Sequence, residues 1–449
     1  MRLRQIWRNT WPFLLVALII AVRNPVSIYR PEFWAEDADQ LFVTVLNEGA
    51  KSIFLPIYGY HFLISRLIAC LASFFQSTIT PLLYALSSLA FNALASGYFS
   101  RDGFSWLIPR RSFRILACAT LAIGPGTAEV FLNLINLASP LAFLTALMLL
   151  DESRTLSNQK LVILAILILS SGQTFVLLPL VIALWHFTGN RRYLLLLPAL
   201  ITVATVNFVG SNAATKEAGL LGYEYGVAVP RILLEQGFVR LMLAPLLGPE
   251  MTGRLMIAPG YIFWPLLLTS LSLILWACSS KWNRAPDKVA LLGLAYAGTI
   301  ATFAVIAVFR NYAIGAIQRQ GGTALWEMRY SYLPGQMALV IWFALLFFIR
   351  ERLPQMRLLV TVALAVLLGW NLSQWHEIYQ RPDLHWPETA KKLERALRTQ
   401  DRGPLREAVA VPGFKVHPSW YHLAEMSLIV ESNGRVGVRS EKSSGQRQE

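Results

Sequence analysis

The sequence predicts an all-α, polytopic membrane protein of about eleven transmembrane helices. Three observations predict it. The chain is 55% hydrophobic and only 15% charged, with a mean hydropathy of +0.48, whereas soluble domains carry about a quarter charged residues. Its apolar residues fall into long uncharged runs, and a helix needs about 20 such residues to cross a bilayer. Its Lys and Arg sit mainly in the short segments between those runs, the pattern that orients membrane helices. The formal charge of +14 therefore points to a lipid bilayer and not to nucleic acid, because the basic residues form no stripe with interleaved aromatics.

The elements follow in order. Arg2, Arg4 and Arg8 precede the apolar run Trp11 to Val22, which looks like the start of a signal peptide. Arg23, Asn24 and Pro25 replace a small-residue cleavage site, so an uncleaved first helix is expected, with Arg23 snorkelling at its outer end. Ile57 to Phe75 holds His61 and Arg66 and reads as an interfacial or re-entrant helix. Uncharged runs then cover Phe74 to Ser100, Ile115 to Ala128, Val130 to Leu150 and Leu161 to Trp185. The last is broken by Ser170, Ser171, Gly172 and Gln173 into a hairpin of two short helices. Further runs are Tyr193 to Thr215, Leu255 to Ser280, Val289 to Phe309, Ser331 to Ile349 and Leu358 to Trp375. Cys70, Cys118 and Cys278 lie inside apolar runs with no CxxC spacing, so they read as small buried side chains.

The basic short loops are Met1–Thr10, Arg101–Arg114, Asp151–Lys160, Asn190–Arg192, Lys281–Lys288 and Arg350–Arg357. Placing all of them in the cytoplasm puts the N-terminus inside and the C-terminus outside. The outer segments are then Arg23 to Gln76, a tight turn around Pro125 to Glu129, Gly210 to Gly260, Arg310 to Tyr330, and a tail from His376. Within the third, Pro230–Leu247 is amphipathic enough to lie on the membrane. Residues 1–375 form the membrane module and 376–433 a small extracytoplasmic region, helical over Trp386 to Leu397 and extended over Val409 to Phe414. Gly434 to Glu449 is polar, low in complexity and expected to be disordered.

Acids outside the tail and the cytoplasmic loops are few and gather in the outer segments. PEFWAEDADQ supplies Glu36, Asp37 and Asp39. Glu129, in GPGTAEV, is the only acid between Asp102 and Asp151, and Glu327, in WEMRYSYLPG, the only one between Asp287 and Glu351. Carboxylates at a bilayer surface are costly and tend to be functional. The plainer reading is helix capping, by Glu36 for the helix that follows it or by Glu129 for one beginning at Val130.

An acidic pair in the first outer loop, a second acid in a short outer turn and a late outer Arg-Tyr followed by Pro resemble the glycosyltransferase C (GT-C) superfamily. FWAEDADQLF with LPIYGYHFLISR, and VPGFKVHPSW in the tail, resemble its bacterial members. The family's sequon-binding Trp-Trp-Asp motif is absent, which argues against protein N-glycosylation. The resemblance implies a GT-C-like bundle in a bacterial cytoplasmic (inner) membrane. It also implies inverting transfer of a sugar from a polyprenyl phosphate to an extracytoplasmic glycan, lipid or protein. Asp37, or else Glu36, would be the base. Arg329 with Tyr330, backed by Arg319 and Arg310, would hold the donor phosphate. Glu129, Glu327 and Asp39 would hold the acceptor or a divalent metal (Mg or Mn), which some members use and others do not. His61 and Arg66 either line the site or anchor an interfacial helix. His376, His385, His417 and His422 show no metal-ligand spacing.

Two other functions compete. A flippase or transporter of lipid-linked sugars or other solutes calls for charges or broken helices at mid-membrane, but the long runs are almost free of charge and no internal repeat is visible. A non-catalytic scaffold gives no reason for acids in three outer segments.

Overall fold

The structure is a computed structural model that describes residues 2–33, 36–57, 60–124, 127–152, 156–218, 286–309, 332–373, 385–400, 409–411, 424–430 and 435–442. Its helices are α1 (Arg2–Arg23), α2 (Val26–Tyr29), α3 (Thr44–Glu48), α4 (Leu63–Ala72), α5 (Thr80–Gly97), α6 (Arg111–Leu121), α7 (Thr127–Val130) and α8 (Ala138–Leu150). After these come α9 (Asn158–Leu169), α10 (Leu178–Thr188), α11 (Leu197–Ala218), α12 (Pro286–Phe309), α13 (Tyr332–Arg352), α14 (Arg357–Ser373) and α15 (Trp386–Gln400). Up to residue 400 every regular element described is helical, apart from an isolated bridge between Ile57 and Tyr60.

Two helices form the centre. Every residue of α8 is buried, as is nearly all of α13 from Tyr332 to Ile349. A helix that is apolar on all sides has to be enclosed, and α5, α6, α9, α12 and α14 do this by packing on one or both of them, with α1 against α5 and α6. The break at Ser170–Gln173 turns the chain back between α9 and α10 as the sequence predicts. Arg192, beyond the end of α10, donates to the carbonyl of Leu156 before α9 (3.0 Å), so the hairpin's two open ends lie side by side.

Five of the six basic loops, Lys281–Lys288 lying mostly outside the described residues, collect at that same end. Arg101 pairs with Asp151 (3.5 Å) and Arg110 with Glu351 (3.1 Å). Arg111 donates to the carbonyl of Arg8, and Arg350 stacks over Phe113. Arg114 is fully buried and folds the loop around itself, donating to the carbonyls of Ser100, Ile108 and Pro109 and to Asp102.

By length and composition, two helical stretches among the described residues are long and apolar enough to cross a membrane, Ser77–Ser100 and Tyr332–Arg352. Several others are shorter than their uncharged runs suggest. The run Ile115 to Ala128 yields α6, only 11 residues and so about 16 Å long. The run Val130 to Leu150 does not start a helix at Val130. The chain turns through Leu132, held at φ +63°, and the helix restarts at Ile135.

Arg23 does not snorkel. It is buried and donates to the hydroxyl of Thr127 and the carbonyl of Ala122 (3.5 Å), because the turn after α6 offers oxygens where the sequence suggested only headgroups. The tail is also more ordered than its composition predicts. Strands β1 (Val409–Val411), β2 (Ala424–Val430) and β3 (Val436–Lys442) form an antiparallel sheet in the order β1-β2-β3. Val436 pairs with Val430 and Val438 with Leu428, so a short apolar alternation within the expected disordered tail suffices to complete the sheet. The stretch Pro230–Leu247 lies outside the described residues.

The gathered loops make the sidedness testable. Reporters fused after Arg111 and after Gln400 should report opposite compartments, and the same compartment for both would overturn the charge-based map.

Candidate functional site

At the end of the bundle away from the basic loops, several interruptions of the helical pattern meet. Asp37 opens a π-helical turn, Asp37–Val43, a rare geometry that occurs often at functional sites. Its side chain is buried and reaches the start of the central helix. One oxygen accepts the N–H of Ile135 (2.7 Å), and the two oxygens share the N–H of Leu134 (3.0 and 3.2 Å). Helix N-termini leave N–H groups unpaired and carry a partial positive charge, so an anion from another segment fits there. The cap at this helix start is Asp37, acting across 97 residues, while Glu36, at the N-cap position of the π turn, makes no side-chain cap bond.

The surrounding bonds fix this junction. The N–H of Ile64, at the start of α4, donates to the hydroxyl of Ser170 (3.2 Å) in the hairpin break. Ser65 donates to the carbonyl of Leu134 (2.9 Å), and Gln173 donates to Ser139 on α8 (3.0 Å). Gly172 packs so closely on Tyr60 that a Cβ there would lie 2.3 Å from the ring, so only glycine fits the turn.

Arg66 is 2% exposed, which excludes a snorkelling anchor. It donates to the carbonyl of Gln40 in the π turn (2.6 Å), while its Nε has no partner. Beside it is the buried Tyr84, whose hydroxyl also lacks a partner and which interacts electrostatically with both Asp37 and Arg66. His61 lies against Leu169. Burial, aided by the Arg66 guanidinium, holds its imidazole below the usual histidine range, against a backbone hydrogen bond at Leu169 that pulls the other way. It is therefore neutral at pH 7.

Glu36 and Asp39 are half-buried on either side of Asp37, and Asp39 accepts from Gln40. Glu129 falls in α7, but its side chain lies outside the described residues, as do Glu327, Arg310, Arg319, Arg329 and Tyr330. The structure thus brings together Glu36, Asp37, Asp39, His61 and Arg66 from the predicted set. Tyr84, Ser170 and the amides of Leu134 and Ile135 were missed. The Ser-Ser-Gly-Gln break is the one sequence signal that marks this part of the site. No group of three or more His, Cys, Asp or Glu that could hold a metal ion occurs among the described residues. Compared with family models, curated proteins and solved structures, the chain matches none.

Asp37→Ala would leave the amides of Leu134 and Ile135 buried without an acceptor, at about 1–3 kcal/mol for each. The variant should melt several degrees lower or fail to accumulate. An unchanged melting temperature would rule out the capping role.

Proposed function

We propose that the protein is a polytopic membrane glycosyltransferase of the GT-C kind. It would move a sugar, with inversion, from a polyprenyl phosphate to an extracytoplasmic glycan, lipid or protein. The observation that carries this reading is the cluster of Glu36, Asp37, Asp39 and buried Arg66 at one end of an apolar helical bundle, opposite the basic loops.

A bilayer setting is supported by the outer surface. Leu14, Leu18 and Val22 form one stripe on α1 and are each more than half exposed, and Leu358, Leu359, Val362 and Val366 on α14 are at least half exposed. Leaving side chains about half exposed in water forfeits about half of the 1.5–3 kcal/mol that full burial of each would bring, a loss that lipid removes. About eleven crossings, with the basic loops in the cytoplasm of a bacterial inner membrane, belong to the same proposal.

The chemistry needs a carboxylate to take the proton of the acceptor hydroxyl as that oxygen bonds to the anomeric carbon. The bond from sugar to phosphate breaks, and the departing phosphate keeps the electron pair and needs cationic stabilisation. With Asp37 committed to two backbone amides, Glu36 takes the base role more readily, and Asp37 fixes the turn that presents it. Arg329 with Tyr330 is proposed to hold the phosphate, with Arg319 and Arg310 behind. Glu129 and Glu327 remain proposed acceptor or divalent-metal contacts.

Mass analysis of cell-surface glycans from a deletion strain tests the activity and identifies sugar and acceptor; an unchanged glycan profile would count against it. Glu36→Gln should lower transfer by about 100- to 10,000-fold with melting unchanged, and full activity would return the base role to Asp37. Arg329→Lys should weaken donor binding and Arg329→Ala nearly remove it, because only arginine offers a phosphate two parallel hydrogen bonds. Normal donor affinity in a destabilised Arg329→Ala protein would make this residue an anchor.

A further inference from the structure

We infer that Trp386, in the C-terminal tail, is a positioning residue for the acidic segment, an inference that rests on the glycosyltransferase reading for its link to transfer. The residues that hold this segment come from opposite ends of the chain. Phe33 precedes Glu36, Asp37 and Asp39, and Phe42 follows them. The two rings are 5.0 Å apart, and the indole of Trp386 meets both edge-on, at 4.5 Å from Phe33 and 5.5 Å from Phe42. Phe33 also packs on Tyr84 (5.5 Å), so the aromatic cluster is seated on the bundle next to the buried Arg66. The acidic segment is thereby closed into a loop pinned on one indole.

The indole itself is fixed by directed bonds. Its Nε1–H donates to the carbonyl of Ser77 (2.8 Å), and its backbone N–H donates to Glu32 (3.2 Å). Glu394, on the same helix α15, accepts the N–H of Ser77 (3.0 Å). Both backbone groups of Ser77 are therefore taken by the tail helix, and Trp386 is only 2% exposed. A second attachment follows the acidic segment. Asn47 and Val436 exchange two hydrogen bonds of 2.8 Å, and Arg435 pairs with Glu48 (3.3 Å). Tail contacts thus lie on both sides of residues 36–43, and a side chain remote in sequence sets where the acids stand. Misplacing a reacting group by about 1 Å costs about 100-fold in rate, so the position of this indole should be read in turnover.

The test uses the full chain in lipid nanodiscs, with Trp386→Ala, Trp386→Phe and wild type. Three properties are measured: backbone hydrogen exchange over residues 37–43, melting temperature, and kcat and KM with a polyprenyl-phosphate sugar. In folded Trp386→Ala protein, exchange over 37–43 should rise about tenfold or more, and kcat should fall about 10- to 100-fold with donor KM within about twofold. Trp386→Phe keeps a ring against Phe33 and Phe42, so it should recover most of both. If the alanine variant does not accumulate, Trp386→Leu, which fills space without an aromatic edge, makes the same comparison. Unchanged exchange over 37–43 with wild-type kcat per folded molecule would overturn the inference. So would a loss of activity that tracks the loss of folded protein alone. Exchange is read without substrate, so a chain that transfers no sugar overturns the glycosyltransferase reading while exchange still decides whether Trp386 holds the segment.

Discussion

The bond between the Asp37 carboxylate and the amides of Leu134 and Ile135 is the constraint on which the junction depends. The central helix opens with a 3-10 turn at Ile135–Leu137 that leads into α8, and both are buried on every side, so the first N–H groups have no water to bond. An acceptor must be brought in from elsewhere, and the first loop brings it. In exchange the loop gains a fixed position, because a carboxylate buried this deeply is tolerable only where donors meet it. The interruption at Phe131–Leu134, with Leu132 at a positive φ uncommon for a bulky side chain, immediately precedes the amides that meet Asp37.

The same logic explains why several irregular segments converge. Each break in a buried helix exposes backbone groups, and here the breaks satisfy one another: Ser170 caps α4, and Ser65 bonds the carbonyl of Leu134. Breaks placed apart would each need their own partners. Placed together they make a polar pocket of structure inside an apolar bundle, and Arg66 and Tyr84 sit there with bonding capacity to spare. At the opposite end, charge is handled differently. Arg101 and Arg110 are paired with acids of other loops, which ties the loops to one another, and Arg114 is paired with Asp102 of its own loop. Buried polar atoms without a partner occur at both ends, Arg66 Nε and the Tyr84 hydroxyl at one and Arg111 Nε and Arg350 Nη1 at the other, so what sets the basic end apart is the ion pairs that join its loops.

The tail completes the second end. Its helix and sheet contact the chain on both sides of the acids, so the acidic segment lies between the helical bundle and the tail. That arrangement joins residues more than 300 positions apart and brings the C-terminal region into contact with the segment that carries Glu36, Asp37 and Asp39.

The sequence by itself determined the helical class, the hairpin break and the two sets of loops. These are local properties: apolar run length, Gly and Ser in a turn, and the placement of Lys and Arg report on a few neighbouring residues at a time. It also pointed to PEFWAEDADQ, because acids are conspicuous in so apolar a chain. That Asp37 is the capping acid was decided only by tertiary structure. Asp37 caps a helix 97 residues away, and no local pattern around Glu36 or Glu129 predicts that. Arg23 looked like a headgroup anchor, and Arg66 either an anchor or a site-lining residue; buried oxygens of Thr127, Ala122 and Gln40 draw both inward. Val436–Lys442 looked disordered from its polar composition, yet it forms a hairpin with the neighbouring Ala424–Val430 and is held at Val436 by Asn47, 389 residues away. Hydrogen-bond partners and enclosure are properties of the packed bundle, and the spacing of residues along a chain does not contain them.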